Sequence, residues 1–170
     1  MTGEPIRTER LLLRELQEAD LPTLVAILHE PEVARWWPGF DEAEARLALL
    51  GRDDITVLVI EHREGVIGAI QVHEQSDPSY RHAGVDLFLA TAWQGKGLGS
   101  EAVKGVARTL FQTHGHHRMV IDPAANNLRA IRAYERVGFR QVGVMRQYER
   151  GPDGTWHDCV MMELLKSDVR

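Results

Sequence analysis

Between Ala92 and Ser100 the chain reads Ala-Trp-Gln-Gly-Lys-Gly-Leu-Gly-Ser, with glycines at the alternate positions Gly95, Gly97 and Gly99. An apolar run, Val85 to Ala90, precedes this stretch, and a helix-forming run, Glu101 to Phe111, follows at once. The order predicts a strand that runs into a glycine loop, which then opens a helix. Glycines let backbone N–H groups turn inward and let a ligand approach closely. A helix N-terminus adds unpaired donors and the positive end of the helix dipole. The stretch is therefore a candidate phosphate cradle. It has neither the G-x-G-x-x-G spacing of a dinucleotide site nor the Gly-Lys-Ser/Thr ending of a P-loop. Alone, it admits either a phosphate-bearing ligand or a tight turn with no ligand.

The rest of the chain places this loop in a mixed α/β order. Arg10 to Glu15 reads as a first strand. Asp20 is a candidate N-cap for a helix whose apolar positions are Leu21, Leu24, Val25 and Leu28. A short helix over Pro31 to Trp37 would stop at Pro38-Gly39. Asp41 and Glu44 have the spacing of a capping box, and the helix they start would end at Gly51. Thr56 to Glu61 and Val66 to Val72 form a hairpin signal around Arg63-Glu64-Gly65. Ser76 to Ser79 is a turn cluster. Gly84 to Ala90 is the strand feeding the loop, and Leu98 to Phe111 is the loop's helix. Arg118 to Asp122 is a short strand ended by Pro123. Asn126 or Asn127 caps a helix that closes at Gly138. Arg140 to Gln147 and Trp156 to Leu165 are final strands joined by Gly-Pro-Asp-Gly, residues 151–154.

A chain of 170 residues, 44% hydrophobic and 26% charged, suits one globular domain over residues 1–170. No apolar run is long enough for a bilayer, so no membrane partner is expected. The polar segment Met1 to Glu9 lacks a signal-peptide core, which reads as cytoplasmic. One cysteine, Cys159, leaves no internal disulfide and no multi-cysteine zinc site, and no metal is expected. The net charge of −5 argues against nucleic acid and permits a cationic small molecule. His114, His116 and His117 read as a solvated loop rather than a metal site. Monomer and homodimer both stay open.

A second motif narrows the ligand. Asn127 and Tyr134 stand seven residues apart on a predicted helix, about two turns, so both face one side. An amide and a phenol can then line one groove. With this pair in view, the sequence resembles the GNAT superfamily of acyl-CoA-dependent N-acyltransferases. Gln94-x-x-Gly97-x-Gly99 matches its pyrophosphate signature. Asn127, Ala130, Tyr134 and Gly138-Phe139 match its second signature. Residues 84 to 139 resemble, more narrowly, the aminoglycoside 6′-N-acetyltransferases of antibiotic resistance. The early Trp36-Trp37 is similar to the same group and to hydroxylysine acyltransferases of siderophore synthesis.

The resemblance implies a mostly antiparallel mixed sheet flanked by helices, with a splayed central strand pair forming the acyl-CoA cleft. It also implies direct transfer from acetyl-CoA, as co-substrate, to an amine. On that basis Gly95, Lys96, Gly97, Leu98, Gly99 and Ser100 would hold the pyrophosphate, with Gln94 shaping the turn. The backbone of Leu87, Phe88 and Leu89 would pair with the pantetheine arm, helped by Asn127 and Ala130. Asp86, a carboxylate in an otherwise apolar strand, is the candidate base. Tyr134 would protonate the departing thiolate. A cationic aminoglycoside would meet Asp86, Asp122, Glu74 and Asp77, with Trp36 and Trp37 as walls, and Asp153 as a weaker contact that an ordinary hairpin turn explains better. Acceptors such as hydroxylysine or protein N-termini, and a non-catalytic acyl-CoA-binding module, remain alternatives.

Overall fold

The computed structural model describes residues 4–37, 40–50, 54–151 and 153–170. Eight strands among them form one sheet in the order β1-β2-β3-β4-β5-β6-β8-β7. These are β1 (Ile6–Arg7), β2 (Leu11–Glu15), β3 (Ile55–His62), β4 (Gly65–Gln75), β5 (His82–Leu89), β6 (Arg118–Ile121), β7 (Arg140–Arg150) and β8 (Trp156–Leu165). Five helices flank them: α1 (Leu21–Leu28), α2 (Pro31–Ala34), α3 (Glu42–Leu50), α4 (Leu98–Gln112) and α5 (Leu128–Val137). Every neighbouring pair is antiparallel except β5–β6. The expected mixed, mostly antiparallel architecture is the one observed, with the two-residue β1 as an addition.

Alternation along β3, β4 and β5 sends side chains to two separate cores. On one face Leu58, Ile60, Ile70, Val72, Val85 and Leu89 pack with Val103, Val106 and Leu110 of α4 and Ile131 of α5. On the other, Val57, Val59, Ala69 and Phe88 pack against Leu21, Leu24 and Leu28 of α1 and Ala45 and Leu49 of α3. The central sheet is thus covered on both sides, which explains its nearly continuous apolar strands.

The splay is visible in the β5–β6 ladder. It contains only Ala83↔Met119 and Gly84↔Val120. On its other edge β5 stays paired to β4 as far as Gly68↔Leu89. Beyond Ile121 the chain follows β8 instead: Val160 N–H donates to the Pro123 carbonyl at 2.9 Å, Ala125 N–H donates to the Asp158 carbonyl at 2.8 Å, and Ala124 bridges Cys159. One edge of β5 is therefore left open from Val85 onward.

Local capping agrees with the sequence in two places. Glu44 N–H donates to Asp41 Oδ1 at 2.8 Å and Asp41 N–H to Glu44 Oε2 at 2.9 Å, a reciprocal box at the start of α3. Asn127 Oδ1 accepts from Ala130 N–H at 3.1 Å, and Gly138 closes α5 at φ 122°. Elsewhere the structure corrects the sequence. α2 ends at Ala34, not Trp37. Asp20 makes no side-chain cap for α1. Its carboxylate is held by Arg14 through two bonds of 2.8 Å and accepts from Gln17 N–H at 2.9 Å. His116 is buried, with Nε2 2.6 Å from Glu74 Oε2, so it is not a solvated loop histidine. Pro38-Gly39, Gly51, Pro152 and the first three residues lie outside the described residues. Among the described residues no helix is long and apolar enough to cross a membrane.

The Arg14 hydrogen bond, with the Gln17 amide, holds the Asp20 carboxyl below its ordinary value of 3.8 against the opposing effect of burial. Such a group adds stability above its unfolded pKa and loses it as pH falls through the folded one. Asp20→Ala should cost about 2 kcal/mol at pH 7, because it leaves a largely buried guanidinium with Glu61, at 2.7 Å, as its remaining carboxylate. Urea unfolding should show the gap to wild type closing below pH 3.8. A gap that stays open as pH falls well below that value would remove the ion pair from the explanation.

Candidate active site

The open edge of β5 leads into the glycine loop. A short 3-10 turn, Thr91–Trp93, connects them, and Gln94 Nε2 donates back to the Leu89 carbonyl at 2.7 Å. Gly95 and Gly97 have φ of 74° and 80°, a region costly for any residue with a Cβ. Gly97 is the N-cap of α4, and no side chain caps this helix. Its first amides are thus available to an anion.

A narrow groove of 170 Å³ runs from this loop between β5 and α5. Ten of the residues expected at the acyl donor line it: Leu87, Phe88, Leu89, Gln94, Gly95, Gly97, Gly99, Ser100, Asn127 and Ala130. Tyr134 lines it as well. Two expected residues do not. Leu98, the first residue of α4, is buried in the core. The Lys96 ammonium sits 4.7 Å from the centre of the Trp93 ring, away from the groove. Ser100 Oγ donates to the Ala133 carbonyl at 3.2 Å and so docks α4 on α5.

The donor set suits a long diphosphate thioester. Among the described residues Gln94 Oε1 is buried with no hydrogen-bond partner, an acceptor that an amide donor of a ligand would satisfy. The space beside Gly95 is open where a Cβ would project. The loop also borders a basic groove of 570 Å³, lined by Gly97, Ser100, Lys104, Arg108 and Arg136. Arg10 reaches from the turn before β2 to the Lys96 carbonyl at 3.2 Å while its other donors bind Glu101.

On the opposite face of β5 lies a cleft of 650 Å³. Asp86, Asp122 and Glu149 supply its carboxylates, with Gln71, Tyr148 and Arg150 beside them. Trp36, Trp37, Phe40 and Trp156 are its aromatic walls. Trp36 and Trp37 also border the donor groove, so the two cavities share this wall. Trp37 is anchored edge-on to Phe88 with ring centres 5.0 Å apart.

Glu149, Tyr148 and Trp156 were not expected here. Tyr148 and Glu149 arrive through an irregularity in the β7–β8 ladder, which jumps from Met145↔Cys159 to Glu149↔His157, and Trp156 stands opposite Arg150 just past it. Three residues of β7 face one of β8, and Gln147 takes φ 48°. Three expected acceptor residues lie elsewhere. Asp86 pairs with Gln71, so the alternation of β4 puts Glu74 on the other face, where it binds His116. Asp77 holds its own turn through Ser79 N–H at 2.8 Å. Asp153 binds the His157 ring at 2.9 Å and the Thr155 amide and hydroxyl at 2.9 and 2.8 Å. Those contacts, His157 first, hold its carboxyl down to about 2.

Electrostatics set the chemistry available. Burial, then repulsion from Asp122 and Glu149, pushes the Asp86 carboxyl up to about 7. It can therefore take or release a proton near neutral pH. Burial, then Asp86 and Asp122, raises the Tyr134 phenol, which stays protonated and able to donate. Among the described residues no cluster of His, Cys, Asp and Glu is arranged to hold a metal.

A raised acid destabilises the fold as pH rises, because the unfolded chain releases that proton more readily. For Asp86 this window runs from 3.8 to about 7. Asp86→Asn should therefore melt higher than wild type at pH 8 and with it near pH 4. Equal melting temperatures at both pH values would show that Asp86 is ionised without penalty.

Comparison with known proteins identifies the family and agrees with the fold. The family model of the acetyltransferase (GNAT) domain matches residues 10–140. Aminoglycoside N(6′)-acetyltransferase type 1 of Klebsiella pneumoniae is 32% identical over 167 residues, covering 86% of this chain and 80% of that protein. A kanamycin resistance protein of Rhizobium radiobacter is 42% identical over 82 residues, 48% of this chain and 70% of that one. The solved structure of AAC(6′)-Ib with paromomycin and acetyl-CoA superposes with a TM-score of 0.77 at 27% identity, covering 94% of this chain and 96% of the other.

Proposed function

The chain belongs to the GNAT acetyltransferase family and is an acetyl-CoA-dependent N-acetyltransferase, and we propose that it modifies the 6′ amine of aminoglycoside antibiotics in the cytoplasm, as one domain over residues 1–170. The observation that carries this reading is the cleft in which Asp86, Asp122 and Glu149 converge between tryptophan walls. Aminoglycosides carry several ammonium groups on a rigid sugar frame. Such a ligand needs several separated carboxylates and flat apolar faces, which a single-amine acceptor would not. The named relatives that act on aminoglycosides support the same choice.

Acetyl-CoA, when bound, supplies an acetyl thioester. The chain's own groups then have four tasks. The amides at the start of α4, with Gly95 and Gly97, bind the diphosphate. Lys104, Arg108 and Arg136 give a cationic rim for the remaining phosphate. The free edge of β5 and Gln94 Oε1 hold the amide-bearing arm and aim it at the shared wall. Asp86 takes the proton that the ammonium must lose before its nitrogen can attack the acyl carbon. As the C–N bond forms and the C–S bond breaks, the Tyr134 phenol gives its proton to the leaving sulfur. A value near 7 suits Asp86 to this work, since it is a strong enough base and still ionised in half the molecules at that pH.

Thiol release should follow mixing with acetyl-CoA and kanamycin or tobramycin, and NMR of the product should place the acetyl group on the 6′ nitrogen. Turnover of simple amines with none of either drug would overturn the aminoglycoside reading. Glu149→Gln and Asp122→Asn should each raise KM for the drug about tenfold, as loss of one charge-assisted contact does, and leave KM for acetyl-CoA alone. Tyr134→Phe should slow the single-turnover rate with little change in either KM. An unaltered rate would remove the phenol from the proton path.

A further inference from the structure

The carboxylates of the acceptor cleft come from three separate segments. Asp86 is fixed within β5, but Asp122 lies just past β6 and Glu149 lies in the irregular part of β7. Neither of these two is held by a regular ladder to β5. Both segments meet one residue, Asp158 of β8. Its carbonyl accepts from Ala125 N–H at 2.8 Å, which holds the segment carrying Asp122. Its carboxylate Oδ1 accepts from Gln147 N–H at 2.8 Å, which holds the segment carrying Tyr148 and Glu149.

The second contact sits where the backbone is least comfortable. Gln147 is the only non-glycine residue with positive φ among the described residues. A long side chain adopts that conformation only when the surroundings favour it. Residues 146–148 all stand opposite Asp158, so the excess length of β7 is gathered there. Bulges of this kind re-aim side chains at sites. Here the result is that Tyr148 and Glu149 line the same cleft as Asp122, with the Asp122 charge raising the Tyr148 phenol.

We propose that Asp158 is a positioning residue for the acceptor cleft: it clamps the β7 bulge to the segment after β6 and so sets the spacing of Glu149 and Tyr148 from Asp122. The role rests on the reading that this cleft takes the amine acceptor. Asp158 does not line the cleft and need not touch any ligand. Its backbone carbonyl would survive substitution, so the side chain controls only the bulge.

Two variants separate this from a charge effect. Asp158→Ala removes the acceptor for Gln147 N–H, whereas Asp158→Asn removes the charge and keeps an acceptor oxygen. The Tyr148 phenol, raised in the wild type first by Asp122, reports the spacing directly. Tyrosine ring NMR, assigned with Tyr148→Phe, should show Tyr148 titrating lower in Asp158→Ala and as in wild type in Asp158→Asn. KM for kanamycin should rise about tenfold in Asp158→Ala only, the worth of one charge-assisted hydrogen bond, with KM for acetyl-CoA unmoved. An unshifted Tyr148 in Asp158→Ala would overturn the proposal, as would equal damage from both variants. If wild type turned over no aminoglycoside, the acceptor reading would fail, and the Tyr148 titration would still decide the clamp.

Discussion

The two-rung β5–β6 ladder is the constraint on which the rest depends. Parallel neighbours in a sheet normally bond along their whole overlap. Here the rungs stop at Gly84↔Val120, because the chain after β6 bonds to β8. Pro123 reinforces the departure, since it has no N–H to return to β5. The divergence leaves β5 with one edge unpaired in an otherwise complete sheet. Unpaired backbone at a sheet centre is costly unless something bonds to it. A ligand with amides along its length satisfies that demand. The same wedge admits Tyr134 from one side and Asp122 from the other.

From this opening follows the division of labour between the two faces of β5. Residues 87 and 89 turn toward α4 and α5, where the groove and the uncapped helix start suit the acyl donor. Asp86 turns toward the tryptophans and the carboxylates, where a cationic amine is favoured. Adjacent residues of one strand thus address opposite cavities, separated by a backbone's thickness. Burial acts on both reacting groups. It raises Asp86 into the neutral range and keeps the Tyr134 phenol protonated. The burial that closes the site is the largest influence that poises the acid and the base, and the neighbouring carboxylates add to it.

What was legible in the sequence was local. The glycine loop, the Asn127–Tyr134 pair and the Asp41–Glu44 box depend on spacing within one element, and each appears as spaced. What failed depended on parity or on partners distant in sequence. Glu74 looked like an acidic rim, yet an odd three-residue offset from Gln71 sends it to the opposite face. Asp20 had the position of a cap, but Arg14 of the preceding strand offered a charged partner at closer terms than the α1 amides. Glu149 and Tyr148 were invisible because regular alternation along β7 does not place them. The excess of β7 residues over β8 residues between Met145 and Glu149 sets where they meet the cleft, and strand length alone does not reveal a bulge.

The central claim is that Asp86 takes the proton from the acceptor amine. Its most direct test is the pH dependence of kcat/KM for kanamycin in wild type and in Asp86→Asn, which reports groups of the free enzyme. The account predicts an acid limb centred near 7 in the wild type, broadened by coupling to Asp122 and Glu149. It predicts that Asp86→Asn abolishes that limb and lowers the plateau by about a hundredfold or more. The same limb and the same plateau in Asp86→Asn would contradict it.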